Sequence, residues 1–249
     1  MDPLQEAKNL IDQSKNIYIL PSEENEENIT SALALFYTLK ELNKNVNLII
    51  DEIPEKLRFL TPSLDHISYP RNFIISIPSA SAEVSQVRYE KDEKDLKIYL
   101  TIDKGNIKKG DISFSFTEPK ADLLITIGKK EPDNKNRLEN SVLENSPILN
   151  IDNQKENKNF GKVNLLEPES FLTELIYNLI WSIDEEIIKK NIATALLAGL
   201  ILSSDNFRDE KTSSRILEIA AFLVKKEASH QEIVNNLFPR TKKPCPECG

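Results

Sequence analysis

The sequence predicts an α/β protein with a doubly wound, mainly parallel sheet, an antiparallel β-meander insertion and a helical C-terminal part. Three observations predict this fold class. A strand–helix–strand unit opens the chain, buried apolar runs of strand length follow it, and the last third of the chain carries helical periodicity.

The opening unit begins with an amphipathic helix at about 3–14 and the strand IYIL at 17–20. The segment SALALFYTLKELNK then repeats apolar residues at helical spacing, and the strand VNLII follows at 46–50. Because such a crossover is right-handed, the two strands are predicted to be parallel. Three more apolar runs are predicted to extend the same sheet. They are FIISI at 73–77, DLLITI at 122–127 and PILNI at 147–151.

The remaining segments set the predicted domain organisation. Residues 78–118 alternate apolar and polar side chains around the turn signals KDEKD and DKGN, which indicates an antiparallel meander. We interpret it as a solvated structural extension, with a binding surface as the alternative. Residues 169–238 repeat apolar side chains at the three- and four-residue spacing of helices. One domain is therefore predicted over 1–240, with a flexible tail at 241–249.

Composition and charge exclude several classes of function. Of the 249 residues, 39% are hydrophobic and 29% charged, and the formal net charge is -8. An acidic chain of this kind does not predict an extended nucleic-acid surface, because phosphate backbones attract Lys and Arg. No stretch approaches the roughly 18–20 apolar residues of a membrane span, and the amino terminus lacks the apolar region of a signal peptide. We expect a cytoplasmic protein without a membrane partner.

Glycine, histidine and cysteine are scarce, which excludes some phosphate-binding loops and limits the possible metal sites. The six glycines exclude a Walker loop and a G-x-G-x-x-G turn, and the two histidines, His66 and His230, lie outside the motifs described below. Cys245 and Cys248 form one C-x-x-C, half of a four-ligand zinc site. We favour an inert tail. The alternatives are a zinc site shared across a homodimer and a chain truncated before a second C-x-x-C.

The stretch ILNIDNQ places Asp152, Asn153 and Gln154 at the carboxyl end of a buried strand. Together with SALALFYTLKELNKNV, DLLITIG, TELIYNLI and NIATALLAGLILSSDNFR, it resembles the DHH (RecJ-like) phosphoesterase superfamily. The resemblance covers most of residues 15–238, in the family's order, and is nearest to the nanoRNase and cyclic-dinucleotide phosphodiesterase members. It implies the family's α/β fold, and we expect no counterpart of the family's second, substrate-binding domain after residue 238.

The resemblance also implies where a metal centre would lie. Family members use a His and two Asp after the first strand, an Asp after a later strand, the Asp-His-His motif and an Asp in a late helix. These side chains hold two divalent ions, usually manganese, which activate water for phosphoester hydrolysis. The matching positions here are Pro21, Asn25, Glu27, Gly128, Asp152, Asn153, Gln154 and Ser203. Only Glu27 and Asp152 are acids, and the amides of Asn and Gln bind transition metals more weakly than imidazole does.

The resemblance therefore predicts a pseudoenzyme of the DHH family, without metal or other cofactor, which binds a small nucleotide or a protein partner. A neutral, hydrogen-bonding cleft suits an anion. The predicted ligand-binding residues are Asp152, Asn153, Ser203, Ser204 and Arg208. The alternative is a phosphodiesterase that cleaves short oligonucleotides or cyclic dinucleotides with altered ligands. Glu23, Glu24, Glu26 and Glu27 would then assist a Mg²⁺ or Mn²⁺ ion, although acids at a helix start also complement its dipole.

Overall fold

The computed structural model describes residues 2–61, 72–92, 94–117, 120–132 and 146–239. The chain divides into two compact units, which we call the main unit (Met1–Ser68 and Lys120–Gly249) and the inserted unit (Tyr69–Pro119). The main unit contains helices α1 Pro3–Gln13, α2 Glu26–Glu41, α3 Leu172–Ile183, α4 Lys190–Ser203, α5 Ser214–Lys225 and α6 His230–Leu237. Its strands are β1 Asn16–Pro21, β2 Asn45–Leu48, β7 Leu123–Ile127, β8 Ile148–Asp152 and β9 Val163–Leu166. The inserted unit contains β3 Asn72–Ser76, β4 Ala82–Lys91, β5 Leu96–Gly105 and β6 Ser113–Thr117.

The main unit is built on a five-stranded sheet in the order β2-β1-β7-β8-β9, and every neighbouring pair is parallel. The predicted fold class is confirmed, including the opening β1–α2–β2 unit. The edge strand β9 was not predicted, because four residues reading Val-Asn-Leu-Leu are too short to carry a period. Within it, Val163 and Leu165 are buried against the core, while Asn164 and Leu166 are only partly covered.

The run at 73–77 was predicted to join this parallel sheet, and that prediction is wrong. It forms β3, which pairs antiparallel with β6 in the inserted unit, Phe73 opposite Phe116. The antiparallel insertion itself is confirmed, although it consists of the β3–β6 pair around a β4–β5 hairpin. An apolar run of five residues specifies a strand but not its partner, and here Ile74 and Ile75 remain more than a third exposed.

One face of the parallel sheet packs on α1, α2 and α3. Ile17 and Ile19 of β1 belong to that core, whereas Tyr18 and Leu20 point to the opposite face and are also buried. Both faces of the central strands are therefore covered, as a doubly wound sheet requires. None of the described helices is long and apolar enough to cross a membrane.

Helix α4 lies against α2 and α3 at very short range. A Cβ atom at Gly199 would lie 2.4 Å from Thr173 Oγ1 and 2.8 Å from Thr30 Oγ1, so glycine permits this approach. Most residues of the helix are buried, from Ile192 to Ile201. This packing brings the carboxyl end of α4, with Ser203, towards the amino ends of α2 and α3.

Candidate functional site

The candidate site lies at the edge of the parallel sheet where the strands end, which we call the carboxyl edge. From β1 the chain leads through α2 to β2 on one side, whereas β7, β8 and β9 follow one another on the other side. The direction of the strand order thus reverses between β1 and β7, and α/β sheets usually bind ligands at such a switch point. Strands β1 and β8 end at Pro21 and Asp152, and Gly128 directly follows β7.

The first loop uses its polar residue to begin a helix. Asn25 is the N-cap of α2, and its side-chain oxygen accepts a hydrogen bond of 2.9 Å from the Glu27 N–H. Caps of this kind typically stabilise a helix by about 1 kcal/mol. Pro21 continues the backbone ladder of β1 beside Ile127. Both family-equivalent positions therefore have structural roles.

Glu27 is a buried carboxylate that caps a helix distant in sequence. One of its oxygens accepts hydrogen bonds from the Thr173 N–H at 2.9 Å and from Thr173 Oγ1 at 3.1 Å. The Ser203 hydroxyl lies near this carboxylate and donates to the Gly199 carbonyl at 2.9 Å. Helix α3 has no side-chain cap from its own N-cap residue, Phe171, so Glu27 satisfies the Thr173 N–H in its first turn instead. Burial raises the pKa of Glu27, and these hydrogen bonds partly oppose the rise.

Gly128 occupies a position with no space for a side chain. Its φ of +67° is in the left-handed region, and a Cβ there would lie 2.5 Å from Cγ and Oδ1 of Asn28. The Asn28 amide is held in turn, because its Nδ2 donates to the Ser22 carbonyl at 3.2 Å. The family's aspartate could stand at this position only if Asn28 moved.

Asp152 is fully buried and accepts three hydrogen bonds from protein N–H groups. Its Oδ1 accepts from the Asn153 N–H at 2.8 Å and from Gln154 Nε2 at 3.2 Å. Its Oδ2 accepts from Asn157 Nδ2 at 2.7 Å. Hydrogen bonds to a charged acceptor are the stronger kind, so this carboxylate is the centre of a local polar network.

The amides around Asp152 tie the loop after β8 to the loop after β7. Gln154 Nε2 also donates to the Gly128 carbonyl at 3.1 Å, and Asn157 Nδ2 to the Lys129 carbonyl at 2.9 Å. Asn157 Oδ1 accepts from Asn150 Nδ2 at 3.0 Å. Asn150 and Asn157 were not predicted to belong to the site. The only signal was the density of Asn and Gln in NIDNQKENKN, and it does not say which amides face inward.

Asn153 lies at the same edge but points elsewhere. Its Nδ2 donates to the Ser170 carbonyl at 3.0 Å, one residue before the N-cap of α3. Glu27 meets the first turn of the same helix. The structure thus brings seven of the predicted residues to one edge: Asn25, Glu27, Gly128, Asp152, Asn153, Gln154 and Ser203. The side chains of Asn25 and Glu27 cap helices, and those of Asn153 and Gln154 connect loops.

Two predicted ligand-binding residues make only local contacts in the loop after α4. Ser204 is buried, donates to the Leu200 carbonyl, and accepts a hydrogen bond of 2.9 Å from the Phe207 N–H. Arg208 is largely exposed and bonds to Asp205 at 3.0 Å through both Nε and Nη2. Neither side chain shares a hydrogen bond with Asp152 or Glu27.

The donor set does not fit a pair of divalent ions. Glu26 pairs with Lys56 at 2.7 Å, and Glu23 Oε1 accepts the Asp51 N–H at 3.1 Å. Across the described ranges, no group of three or more His, Cys, Asp or Glu side chains could hold a metal ion. His66, Cys245 and Cys248 lie outside the described residues.

A separate pocket of about 600 Å³ lies between the start of α1, β9 and α3. Trp181, Asn178 and Leu175 of α3 line it, together with Glu167 and Asp2. None of the predicted site residues is part of its lining. The carboxyl-edge network and this pocket are therefore distinct features of the main unit.

Comparison with known proteins supports the fold and no more than the fold. No protein-family model and no curated protein matches the chain. A solved structure described as an exopolyphosphatase-related protein from Bacteroides fragilis matches with a TM-score of 0.68 and 14% sequence identity. The match covers 97% of this chain and 61% of that one, so the chain spans about three fifths of its neighbour's length. The likeness is compatible with a DHH-type phosphoesterase fold and does not single out the nanoRNase members.

Proposed function

We propose that the protein is a non-catalytic module with a DHH-type phosphoesterase fold, which acts by binding a protein partner and not by hydrolysis. The observation that supports this proposal is the burial and hydrogen bonding of the two acids at the carboxyl edge. Glu27 and Asp152 are both buried, and each already accepts several hydrogen bonds from protein donors.

A carboxylate surrounded by N–H donors is a poor metal ligand. A cation at Asp152 would have to displace donors such as Asn157 Nδ2 and would leave them unsatisfied, at about 1–3 kcal/mol for each buried group. At Glu27 it would also remove the cap of α3. Two ions held roughly 3.5–4 Å apart need more carboxylate and imidazole ligands than this edge provides.

The alternative with altered ligands has weaker support. A hard ion such as Mg²⁺ requires only one or two carboxylates plus phosphate oxygens. The nearby acids are engaged, however, since Glu26 pairs with Lys56 and Glu23 bonds to the backbone of Asp51. A phosphodiesterase would have to break these contacts to form its centre.

Between a nucleotide and a protein partner, the contacts at the carboxyl edge favour the protein. The polar atoms expected to bind an anion are used internally at Asp152, Ser204 and Asn153. Arg208 is bonded to Asp205 and would have to break that contact to bind a nucleotide.

We propose a cytoplasmic location, on the sequence features given above.

The test is metal analysis of the purified protein, followed by hydrolysis assays with Mn²⁺ and with Mg²⁺. Suitable substrates are a short oligoribonucleotide, a cyclic dinucleotide and inorganic polyphosphate, the last because the structural neighbour is exopolyphosphatase-related. We expect no stoichiometric metal and rates equal to the buffer blank. Turnover that the wild type shows and Asp152→Asn loses would overturn the proposal, because a contaminating enzyme would survive that substitution.

A further inference from the structure

We propose that two copies of this chain pair along strand β5, which creates a four-stranded antiparallel sheet in the order β4-β5-β5-β4. The two β5 strands would run antiparallel across a two-fold axis at Leu100. This inference concerns the inserted unit and does not depend on the function proposed for the main unit.

The β4–β5 hairpin is long, and the part of the chain that the structure describes adds no further strand to it. Each strand has ten residues, most of them exposed, and the two form a separate two-stranded sheet. Among the described residues neither strand has a second neighbour, so each has one open edge. An isolated two-stranded hairpin is marginally stable in water, whereas three or more strands with an apolar face are stable.

The hairpin has one apolar face and one polar face. Val87 stands opposite Leu100 and Tyr89 opposite Ile98, and Val87 and Tyr89 are 69% and 72% exposed. Leu96, at 62% exposure, extends this apolar face towards the turn. Such a pattern is typical of strands in a larger sheet.

The polar face carries an ordered network. Arg88 Nη1 donates to Glu90 Oε1 at 2.7 Å, and the Tyr99 hydroxyl donates to Glu90 Oε2 at 3.0 Å. The Arg88 guanidinium also lies 4.4 Å from the centre of the Tyr99 ring. These contacts satisfy that face within one chain, which leaves the open edges and the apolar face for a partner.

The open edge of β5 has a defined set of backbone groups. The Asp92 N–H donates to the Asp95 carbonyl at 3.0 Å, and bonded pairs recur at every second residue of an antiparallel ladder. From the turn to Thr101, the odd-numbered residues of β5 therefore bond to β4. Leu96, Ile98 and Leu100 direct their N–H and carbonyl groups to the open edge.

The sequence of β5 is self-complementary about Leu100. In an antiparallel pair centred there, Ile98 meets Ile102 of the second copy, and Lys97 meets Asp103 of the second copy. The two-fold axis repeats each contact, which gives two opposite-charge pairs on one face. The other face carries the Leu100 pair and two Ile98–Ile102 pairs, with Leu96 opposite Lys104 at each end. Moving the axis by one residue would place Lys97 opposite Thr101 or Gly105. Charge therefore selects this register.

Strand β4 is less suited to the same role. Centred on Val87, it would bring Lys91 opposite Glu83 and Val84 opposite Glu90. The register shifts on both sides of Val84 leave Ser85 of β4 and Asp103 of β5 without an opposite residue. In β4 this irregularity lies two residues from Val87, whereas β5 is regular from Leu96 to Ile102. Pairing through β5 thus combines opposite charges and apolar contact with a regular backbone around Leu100.

Disulfide trapping tests the pairing in the full-length chain. In a C245S/C248S background, L100C should form a covalent dimer on oxidation, because paired Cα atoms about 5.5 Å apart are within disulfide range. V87C is the matched control on the neighbouring strand. Its two copies would be about 14 Å apart across three strand spacings and should remain monomeric. Cross-linking of V87C in place of L100C, or of neither, would overturn the proposal.

Charge reversal tests the register in solution. By sedimentation velocity without metal or substrate, K97D or D103K alone should weaken the dimer about tenfold, whereas the double variant K97D/D103K should restore it. The double variant also controls for contacts within one chain, since Lys97 lies 3.9 Å from Asp92 and Asp103 accepts a hydrogen bond from Ser85. A wild-type chain that stays monomeric up to its solubility limit would refute the pairing, as would single reversals without effect.

Discussion

Replacing Asp152 by Asn tests whether this carboxylate has a structural role or is only the remnant of a metal ligand. In an active DHH-type centre, neighbouring carboxylates repel one another when no metal is bound, so removing one charge is expected to stabilise the metal-free protein. Here Asp152 holds three N–H donors in a buried network. Asp152→Asn should therefore destabilise the protein even in the presence of a chelator.

The size of the effect follows from the hydrogen bonds. In Asp152→Asn the new oxygen can still accept from the Asn153 N–H and Gln154 Nε2, but the new amide nitrogen would face Asn157 Nδ2, a donor. Asn157 cannot turn over, because its Oδ1 accepts from Asn150 and its Nδ2 also donates to Lys129. One charge-assisted hydrogen bond is lost and two donors oppose each other, so we expect a loss of about 2–4 kcal/mol.

Urea denaturation in a chelator, followed by circular dichroism, measures this loss as a lower midpoint. The matched control is Asp205→Asn in the exposed loop after α4, where an ion pair with Arg208 contributes about 0–1 kcal/mol. An Asp152→Asn protein as stable as the wild type, or more stable, would show that Asp152 is not the centre of a structural network.

Three further predictions concern the same edge. Burial raises the pKa of Glu27 above its unfolded value of 4.5, so the stability linked to its protonated form is present below pH 4.5 and lost as the pH rises through the folded pKa. In Glu27→Gln the urea midpoint should fall less steeply as the pH rises. Wild-type and variant midpoints that run parallel across the pH range would contradict this prediction. Gly128→Ala should cost about 1–3 kcal/mol in thermal melts because its Cβ collides with Asn28, whereas Gly110→Ala, which meets nothing within 4 Å, should cost less than 1 kcal/mol. The wild type should melt at the same temperature in chelator and in Mn²⁺, and a gain of several degrees in Mn²⁺ would reveal a metal site.

The close contact between Gly128 and Asn28 affects the stability expected of a variant that carries DHH-type metal ligands. On charge alone, Asn25→Asp, Gly128→Asp, Asn153→His and Ser203→Asp together should destabilise the metal-free protein through repulsion. The structure adds a second cost, because Gly128→Asp must also displace Asn28. Added Mn²⁺ therefore cannot restore wild-type stability in that variant unless Asn28 is shortened as well.

The local elements of the fold could be predicted from the sequence because each depends on short-range periodicity. The helical spacing of SALALFYTLKELNK and the buried run ILNID specified α2 and β8. The scarcity of histidine was equally visible, since the chain contains only two histidines and neither lies at the end of a strand of the parallel sheet. The sequence by itself therefore determined the fold class and the absence of imidazole at residues 152–154.

Which elements meet was decided by the tertiary structure. The partner of β3 is β6 and not the parallel sheet, and Glu27 caps a helix that begins at Leu172. Sequence periodicity carries information over a few residues, whereas these contacts form between segments separated by about 40 to 146 positions. Only the folded chain shows that Glu27 accepts two hydrogen bonds from Thr173 and that Asp152 accepts three from its own loop. Burial and hydrogen-bond satisfaction depend on all the segments that surround a side chain.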